Sequence, residues 1–401
     1  MTLSPPVAAR ENSRFQTLFL AFCLALGPAV AIGFGRFGYA LILPAMRADL
    51  GWNYGQAGAL NTANAAGYLL GAFLSGPLLN RVSNRPLLLF GLGLSVVALF
   101  LAGATRAFPL LLACRALVGF SAAFTFIAAT GLAARLGRDE AETALALAIS
   151  ISGPGLGTVL TGALVPFVLE GGTAHWPRAW QTMGVIGVLI FAIVAVSTRG
   201  LKVSKTQNQE IEREKADLKV LWRVLLAYFL FGLGYIAYMT FLVAYVRALN
   251  GSAATVALVW VVLGFSMLAA TLVWKNQLAL DKGGQTLALM GFFSAICAIL
   301  PLFSGALPVL LLSASGFGLM SMPVFTAVTV IMRRHLPRAA WNSGIAGATT
   351  IFAAGQSLGP LGSGALSDHF GLQASLIWSG AILTLAAMVA LRQKRAFTAP
   401  I

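Results

Sequence analysis

Acidic side chains are scarce in this sequence: 12 Asp and Glu among 401 residues, against 27 Lys and Arg, with both signs together making up 10% of the chain. An average soluble protein carries about 25% charged residues. So few charges cannot cover a water-facing surface, which excludes an ordinary soluble domain. Cysteine is equally sparse. Cys23, Cys114 and Cys297 fall within apolar runs, lack metal-ligand spacing and read as small core hydrophobes. The three histidines, His175, His335 and His369, lie near the ends of apolar runs. No Ser/His/Asp arrangement, phosphate loop or filter-like repeat is found, so neither catalysis nor a cofactor or metal site is expected.

What the sequence does contain is long apolar segments, and 58% of its residues are hydrophobic. Phe15 to Pro44, Pro86 to Thr105 and Trp180 to Val196 approach or exceed the roughly 20 residues that cross a bilayer. Twelve such spans are expected between residues 16 and 391, giving an all-α membrane protein. The first run is longer than the core of a signal peptide. Arg36 interrupts it with no clear cleavage site, so a cleaved leader is not expected.

The net charge of +15 raises the question of nucleic acid, and its placement answers it. With a cytoplasmic N-terminus, 21 of the 27 basic residues fall in cytoplasmic segments. Arg47, Arg106, Arg178 and Arg247 occupy outer loops, and Arg36 and Arg115 lie inside spans. This asymmetry is the positive-inside pattern repeated loop by loop, so the basic balance reports topology, with anionic lipid as its partner. It predicts a multi-pass protein of a bacterial inner membrane, monomeric, with both termini cytoplasmic.

The halves echo each other at a displacement of about 200 residues. Arg47-Ala48 with Gly51 recurs as Arg247-Ala248 with Gly251, Leu111-Leu112 as Leu311-Leu312, and Gly153-Pro154 as Gly359-Pro360. Residues 1–198 and 222–401 are therefore expected to form two six-helix bundles. The charged stretch 199–221 between them reads as a cytoplasmic linker with amphipathic helical character near Gln209 to Leu221.

Gly76-Pro-Leu-Leu-Asn80-Arg81-Val-Ser-Asn84-Arg85, between the second and third spans, resembles the signature loop of the major facilitator superfamily. It departs from that pattern at Asn80, where the family usually has Asp, and at Ser83, where it has Gly. The second-half copy, Asp281-Lys282-Gly283-Gly284, keeps the acid. Arg115-Ala-Leu-Val-Gly119 and Gly153-Pro154-Gly155-Leu156-Gly157 are similar to the family's motifs in the fourth and fifth helices. Gly35-Arg36-Phe-Gly38-Tyr39, Leu43-Pro44, Leu50-Gly51-Trp52, Gln56-Ala-Gly58 and Asn61-Thr-Ala-Asn64 look more specifically like the YbfB/YjiJ-type branch. The resemblance implies a twelve-helix secondary transporter in two pseudo-repeats. It also implies a gating or packing role for Gly76, Asn80, Arg81, Arg85, Gly153, Pro154, Gly157, Asp281, Gly359 and Pro360.

Arg36 and Arg115 are the candidate core of a binding site. A central Arg costs at least about 2.5 kcal/mol on insertion scales, so such residues usually face a cavity and mark function. Counted from Pro44 and Pro109, both lie roughly 9–12 Å below the outer helix ends. Positions 200 residues later hold Ile236 and Ser315, so the scaffold does not itself demand arginine. All 12 acids lie outside the expected spans, and a pair of arginines without a carboxylate suits a small anionic substrate held by bidentate hydrogen bonds. Tyr39, Asn61, Asn64 and Tyr68 are the polar neighbours expected from the first half; Tyr228, Tyr235 and Tyr238 form a stripe in the second, with Tyr235 and Tyr238 taken as site residues. The leading expectation is alternating access carrying a small organic anion, as an exchanger or an exporter. The competing one is proton-driven efflux of lipophilic or cationic compounds.

Overall fold

A computed structural model describes residues 13–201, 216–280 and 283–393. Asp281, most of the expected linker and both chain ends lie outside the described residues. Counting each continuous run as one helix, six precede the linker. They are α1 (Arg14–Leu50), α2 (Tyr54–Leu79), α3 (Asn84–Ala102), α4 (Phe108–Ala133), α5 (Glu140–Gly171) and α6 (Thr173–Ser197). Six follow: α7 (Leu218–Ala248), α8 (Ala253–Leu280), α9 (Gln285–Phe303), α10 (Leu307–His335), α11 (Trp341–Phe370) and α12 (Gln373–Leu391). No strand occurs among the described residues.

Ten of these helices are long and apolar enough to cross a membrane. The other two, α2 and α11, fall short in hydropathy although they are 26 and 30 residues long. Their polar residues explain the shortfall, and packing explains why they are tolerated. α2 carries Asn61, Thr62 and Asn64, α11 carries Gln356, Ser357, Ser363 and Ser367, and the two helices pack against each other. Thr62 Oγ1 donates to the Ser357 carbonyl at 2.5 Å. The large apolar side chains left exposed, such as Phe15, Phe73, Leu272 and Phe303, form the lipid-facing surface.

The packing partners repeat. Within the first six helices α1 meets α5 and α6, α2 meets α4, and α3 meets α4 and α6. Advancing every label by six gives the main contacts of the second set: α7 with α11 and α12, α8 with α10, α9 with α10 and α12. The two sets join through α2 with α11, α5 with α8, and α1 with α7.

Two local departures from regular helix matter for the site. In α1, Pro28 removes a backbone donor, and the chain runs as a π-helix over Ala29–Phe37 before resuming the α form at Gly38. Such turns cluster at functional sites. Arg36 sits on it. A Cβ at Gly33 or at Gly157 of α5 would collide with the opposing backbone, so α1 and α5 touch main chain to main chain beside this turn. In α10, the helix restarts at Pro323 after Met322.

At the end of the bundle that the loop charges predict to be external, Asn53 caps α2 in a capping box with Gln56. Asp368, near the C-terminus of α11, accepts from the backbone N–H groups of Tyr54 and Gly55 at 2.6 and 2.9 Å. These are unsatisfied donors at the positive end of the α2 dipole, well matched to a carboxylate. A Cβ at Gly58 would strike the Pro360 carbonyl, so the two helices close tightly just inside that contact.

Candidate functional site

The two interior arginines differ in what surrounds them. Arg115, on α4, is 1% exposed and engaged on nearly every side. Its Nη1 donates to the Gly35 carbonyl on the π-turn, and its Nη2 donates to Asn61 Oδ1 at 2.9 Å. The guanidinium lies over the Tyr39 ring, 4.6 Å from its centroid, with Trp180 5.7 Å away. Tyr39 and Trp180 stack at 6.4 Å, and the Tyr39 hydroxyl donates to the Ala57 carbonyl at 2.8 Å. Asn61 spans the junction between the helix sets: its Nδ2 donates to Thr240 Oγ1 on α7 at 2.7 Å. Asn64 Nδ2 donates to the Arg115 carbonyl at 3.1 Å, tying α2 to α4. This network welds α1, α2, α4 and α7 together and uses up the polar groups of Tyr39, Asn61 and Asn64.

Arg36 is 9% exposed, and its buried Nη2 has no hydrogen-bond partner among the described residues. Its electrostatic neighbours are Tyr235 on α7 and Tyr68 on α2, while Arg115 lies within range to add like charge. Tyr228, also on α7, packs on Phe352, which Tyr235 meets from 6.5 Å. No acid lies near these arginines: the described acids of the helices, Asp49, Glu140, Glu142, Glu170 and Asp368, sit at helix ends. Asp49 binds Arg106 and Trp176, and Glu142 binds Arg138 at 2.9 Å. Among the described residues the interior therefore holds two positive charges with no negative partner; Arg115 keeps only its Nε unpartnered, with both Nη groups engaged, whereas Arg36 keeps its Nη2 free. Leaving a guanidinium buried without a partner is costly, and an anion relieves that cost.

Facing this charge from the second helix set is a continuous aromatic wall. Tyr235 stacks with Phe231 at 5.9 Å and with Phe317 at 6.1 Å, and Phe317 stacks on Tyr238 at 3.8 Å. Tyr228 stacks on Phe352 at 4.5 Å, with Phe325 edge-on to both. Tyr238 shares a hydrogen bond of 2.7 Å with Ser313, so its hydroxyl is used within the second set. The structure thus sorts the residues proposed from sequence. Arg36, Tyr68 and Tyr235 cluster with unengaged polar tips, whereas Arg115, Tyr39, Asn61, Asn64 and Tyr238 are held by protein partners. The aromatic side chains Phe317, Phe325 and Phe352 and the placement of Tyr228 were not found from sequence. In an apolar helix a Phe carries no signal separating wall from core.

The motif residues occupy packing and end positions. Gly153 backs onto the Ala25 carbonyl, Pro154 begins the second segment of α5, and Gly157 meets α1. Gly359 packs on Leu233 of α7, and Pro360 meets Gly58. Arg85 binds the end of α6 through Thr198 Oγ1 at 3.3 Å and the Ala195 carbonyl at 3.2 Å. Asn80 caps α2, Arg81 is exposed, and Gly76 has open space around it.

Comparison with known proteins points one way on fold and family. Residues 28–391 match the family model described as uncharacterised MFS-type transporter YbfB. The chain is 25% identical over 374 residues to the uncharacterised MFS-type transporter YtbD of Bacillus subtilis (strain 168), covering 90% of this chain and 91% of that protein. A stretch of 138 residues is 37% identical to a chloramphenicol resistance protein of Streptomyces lividans; it spans 34% of each protein. Among solved structures, a bacterial homolog of the human lysosomal transporter Spinster, in an inward-facing and occupied conformation, superposes with a TM-score of 0.76. It is 14% identical, and the match covers 97% of this chain and 98% of that one.

Proposed function

The chain belongs to the YbfB-type family of MFS transporters, and from that premise we propose that it carries a small organic anion across a bacterial inner membrane by alternating access. The observation that carries this reading is Arg36: a buried guanidinium with an unpartnered Nη2, no carboxylate nearby and phenol side chains around it. In this reading Arg36 grips the anion, Tyr68 and Tyr235 add hydrogen bonds, and Arg115 with Tyr39, Asn61 and Asn64 positions the π-turn that presents Arg36. Tyr238 buttresses the aromatic wall. Residues 1–198 and 222–401 act as the two rocking units, with the glycine-lined α5–α8 and α2–α11 contacts between them as the surfaces that hold or separate. An interior supplied with cations and phenols rather than carboxylates favours exchange or facilitated movement over proton symport. The distribution of basic residues among the loops supports cytoplasmic termini in this reading. A charge-assisted hydrogen bond to the anion is worth about 1.5–3 kcal/mol.

The test is uptake of anions into proteoliposomes containing the purified protein, for the native chain and for Arg36→Ala and Arg36→Lys. Saturable, counter-exchanged anion flux that both variants abolish is the expected result. Flux that survives in both variants refutes the site. A second reading, extrusion of lipophilic compounds, is favoured by the local likeness to the chloramphenicol resistance protein. A change in chloramphenicol tolerance on expression that is indifferent to Arg36→Ala would support it instead.

A further inference from the structure

The organic-anion reading leaves the body of the substrate open, and the walls of the site narrow it. We infer that the substrate is a monocarboxylate with a planar aromatic body, its carboxylate on Arg36 and its ring against the Tyr228, Phe325 and Phe352 wall. This rests on the proposed anion site and deepens it.

Charge sets the first limit. Both arginines are buried, but Arg115 spends its two Nη groups on the Gly35 carbonyl and Asn61, and its face on Tyr39. One donor fork is left, which matches one carboxylate. A second carboxylate on the ligand would enter an apolar, aromatic surround without a cation free to meet it, a costly placement. The polar inventory sets the second limit. A polyhydroxylated ligand needs amide and carboxylate side chains to read it, and the nearby amides Asn61 and Asn64 are bound to Thr240, Arg115 and the α4 backbone. Only phenol tips remain, those of Tyr68, Tyr228 and Tyr235, enough for the carboxylate and one ring substituent.

Shape sets the third limit. Tyr228, Phe352 and Phe325 alternate stacked and edge-on geometries at 4.5, 5.0 and 6.3 Å, and Phe325 is the half-buried member, leaving ring surface uncovered. A flat ring extends this pattern with the quadrupole alignment aromatic pairs prefer; a puckered aliphatic ring of equal volume does not. Tyr228 and Tyr235 both pack on Phe352, at 4.5 and 6.5 Å, and Tyr235 is the phenol nearest in charge to Arg36, so wall and charge belong to one site.

The experiment is ligand binding to the full-length protein in nanodiscs by thermal shift and calorimetry. The probes are benzoate, 4-hydroxybenzoate, cyclohexanecarboxylate, phthalate and benzamide. Benzoate and 4-hydroxybenzoate should bind, with cyclohexanecarboxylate weaker by about three- to tenfold, the size of an aromatic contact, and phthalate weaker through the cost of a second carboxylate that meets no free cation. Arg36→Lys, which keeps the charge and loses the fork, should weaken benzoate about tenfold. Phe325→Leu should bring benzoate down to the level of cyclohexanecarboxylate and leave the latter unchanged. Equal binding of cyclohexanecarboxylate or phthalate, still dependent on Arg36, overturns the aromatic monocarboxylate and leaves the anion site standing. Binding of benzamide as tight as benzoate and indifferent to Arg36→Lys, or no binding by any carboxylate, overturns both.

Discussion

The six helices before the linker and the six after it share most of their packing partners but put opposite chemistry at their meeting point. The first set brings both interior arginines and the amides that brace Arg115. The second brings rings: Tyr228, Phe231, Tyr235, Tyr238, Phe317, Phe325 and Phe352 form one stacked surface. Where Arg36 stands in α1, the position 200 residues on is Ile236, a buried residue of α7. The shared scaffold thus carries a charged wall on one side and an aromatic one on the other, and in the proposed reading recognition is divided between them. A ligand touching both walls is bound fully only when the halves meet around it. Such a division couples binding to closure, because the ligand favours the state in which both walls are in reach.

A second contrast lies inside the first set, between the engaged arginine and the free one, and it can be broken by substitution. Arg115→Met strands the Gly35 carbonyl and Asn61 Oδ1 in the interior and should cost about 3 kcal/mol of stability, read as a large fall in melting temperature of the purified protein. Arg36→Met removes an unpartnered buried charge and should leave melting temperature within about 1 kcal/mol of the native value, or raise it, while anion binding is lost. Equal losses of stability in the two variants would erase the distinction between positioning and ligand contact.

The contrast between the two ends of the bundle predicts a smaller effect. Asp368→Asn keeps the side chain's shape but surrenders its charge against the α2 N-terminus, a loss of about 1 kcal/mol. That end should open more often, so a cysteine placed at Thr62 should react faster with a membrane-impermeant maleimide from outside. The native cysteines are all buried, which keeps the background low. Unchanged labelling would remove Asp368 from the closing contact. Smaller still, Asn80→Asp restores the acid usual in the family's signature loop. It should shift transport rate by about twofold, the scale of one exposed charge pair.

The interior arginines, the unusual polarity of α2 and the tyrosine stripe of α7 are legible in the sequence, because a charge or amide in a lipid-length run is conspicuous. Arg36 and Arg115 look equivalent there, since depth along a helix is all that spacing reveals. Their difference comes from partners 54 and 80 residues away, Asn61 and Gly35, and from a π-turn that residue spacing does not announce. Tyr39 illustrates the same point. One turn from Arg36 in sequence, its ring lies instead under Arg115.

By itself, the amino-acid order determined that this chain belongs in a membrane and that its expected spans carry positive charge with no acid to answer it, and its loop charges predict which way the loops point. Those properties depend on composition along the chain, which lipid and water read locally. Which guanidinium stays free, which phenols remain unpaired and which rings form a wall were decided only by tertiary packing. Hydrogen bonds are satisfied by whatever the fold brings within about 3 Å, and that neighbourhood is assembled from helices far apart in the chain.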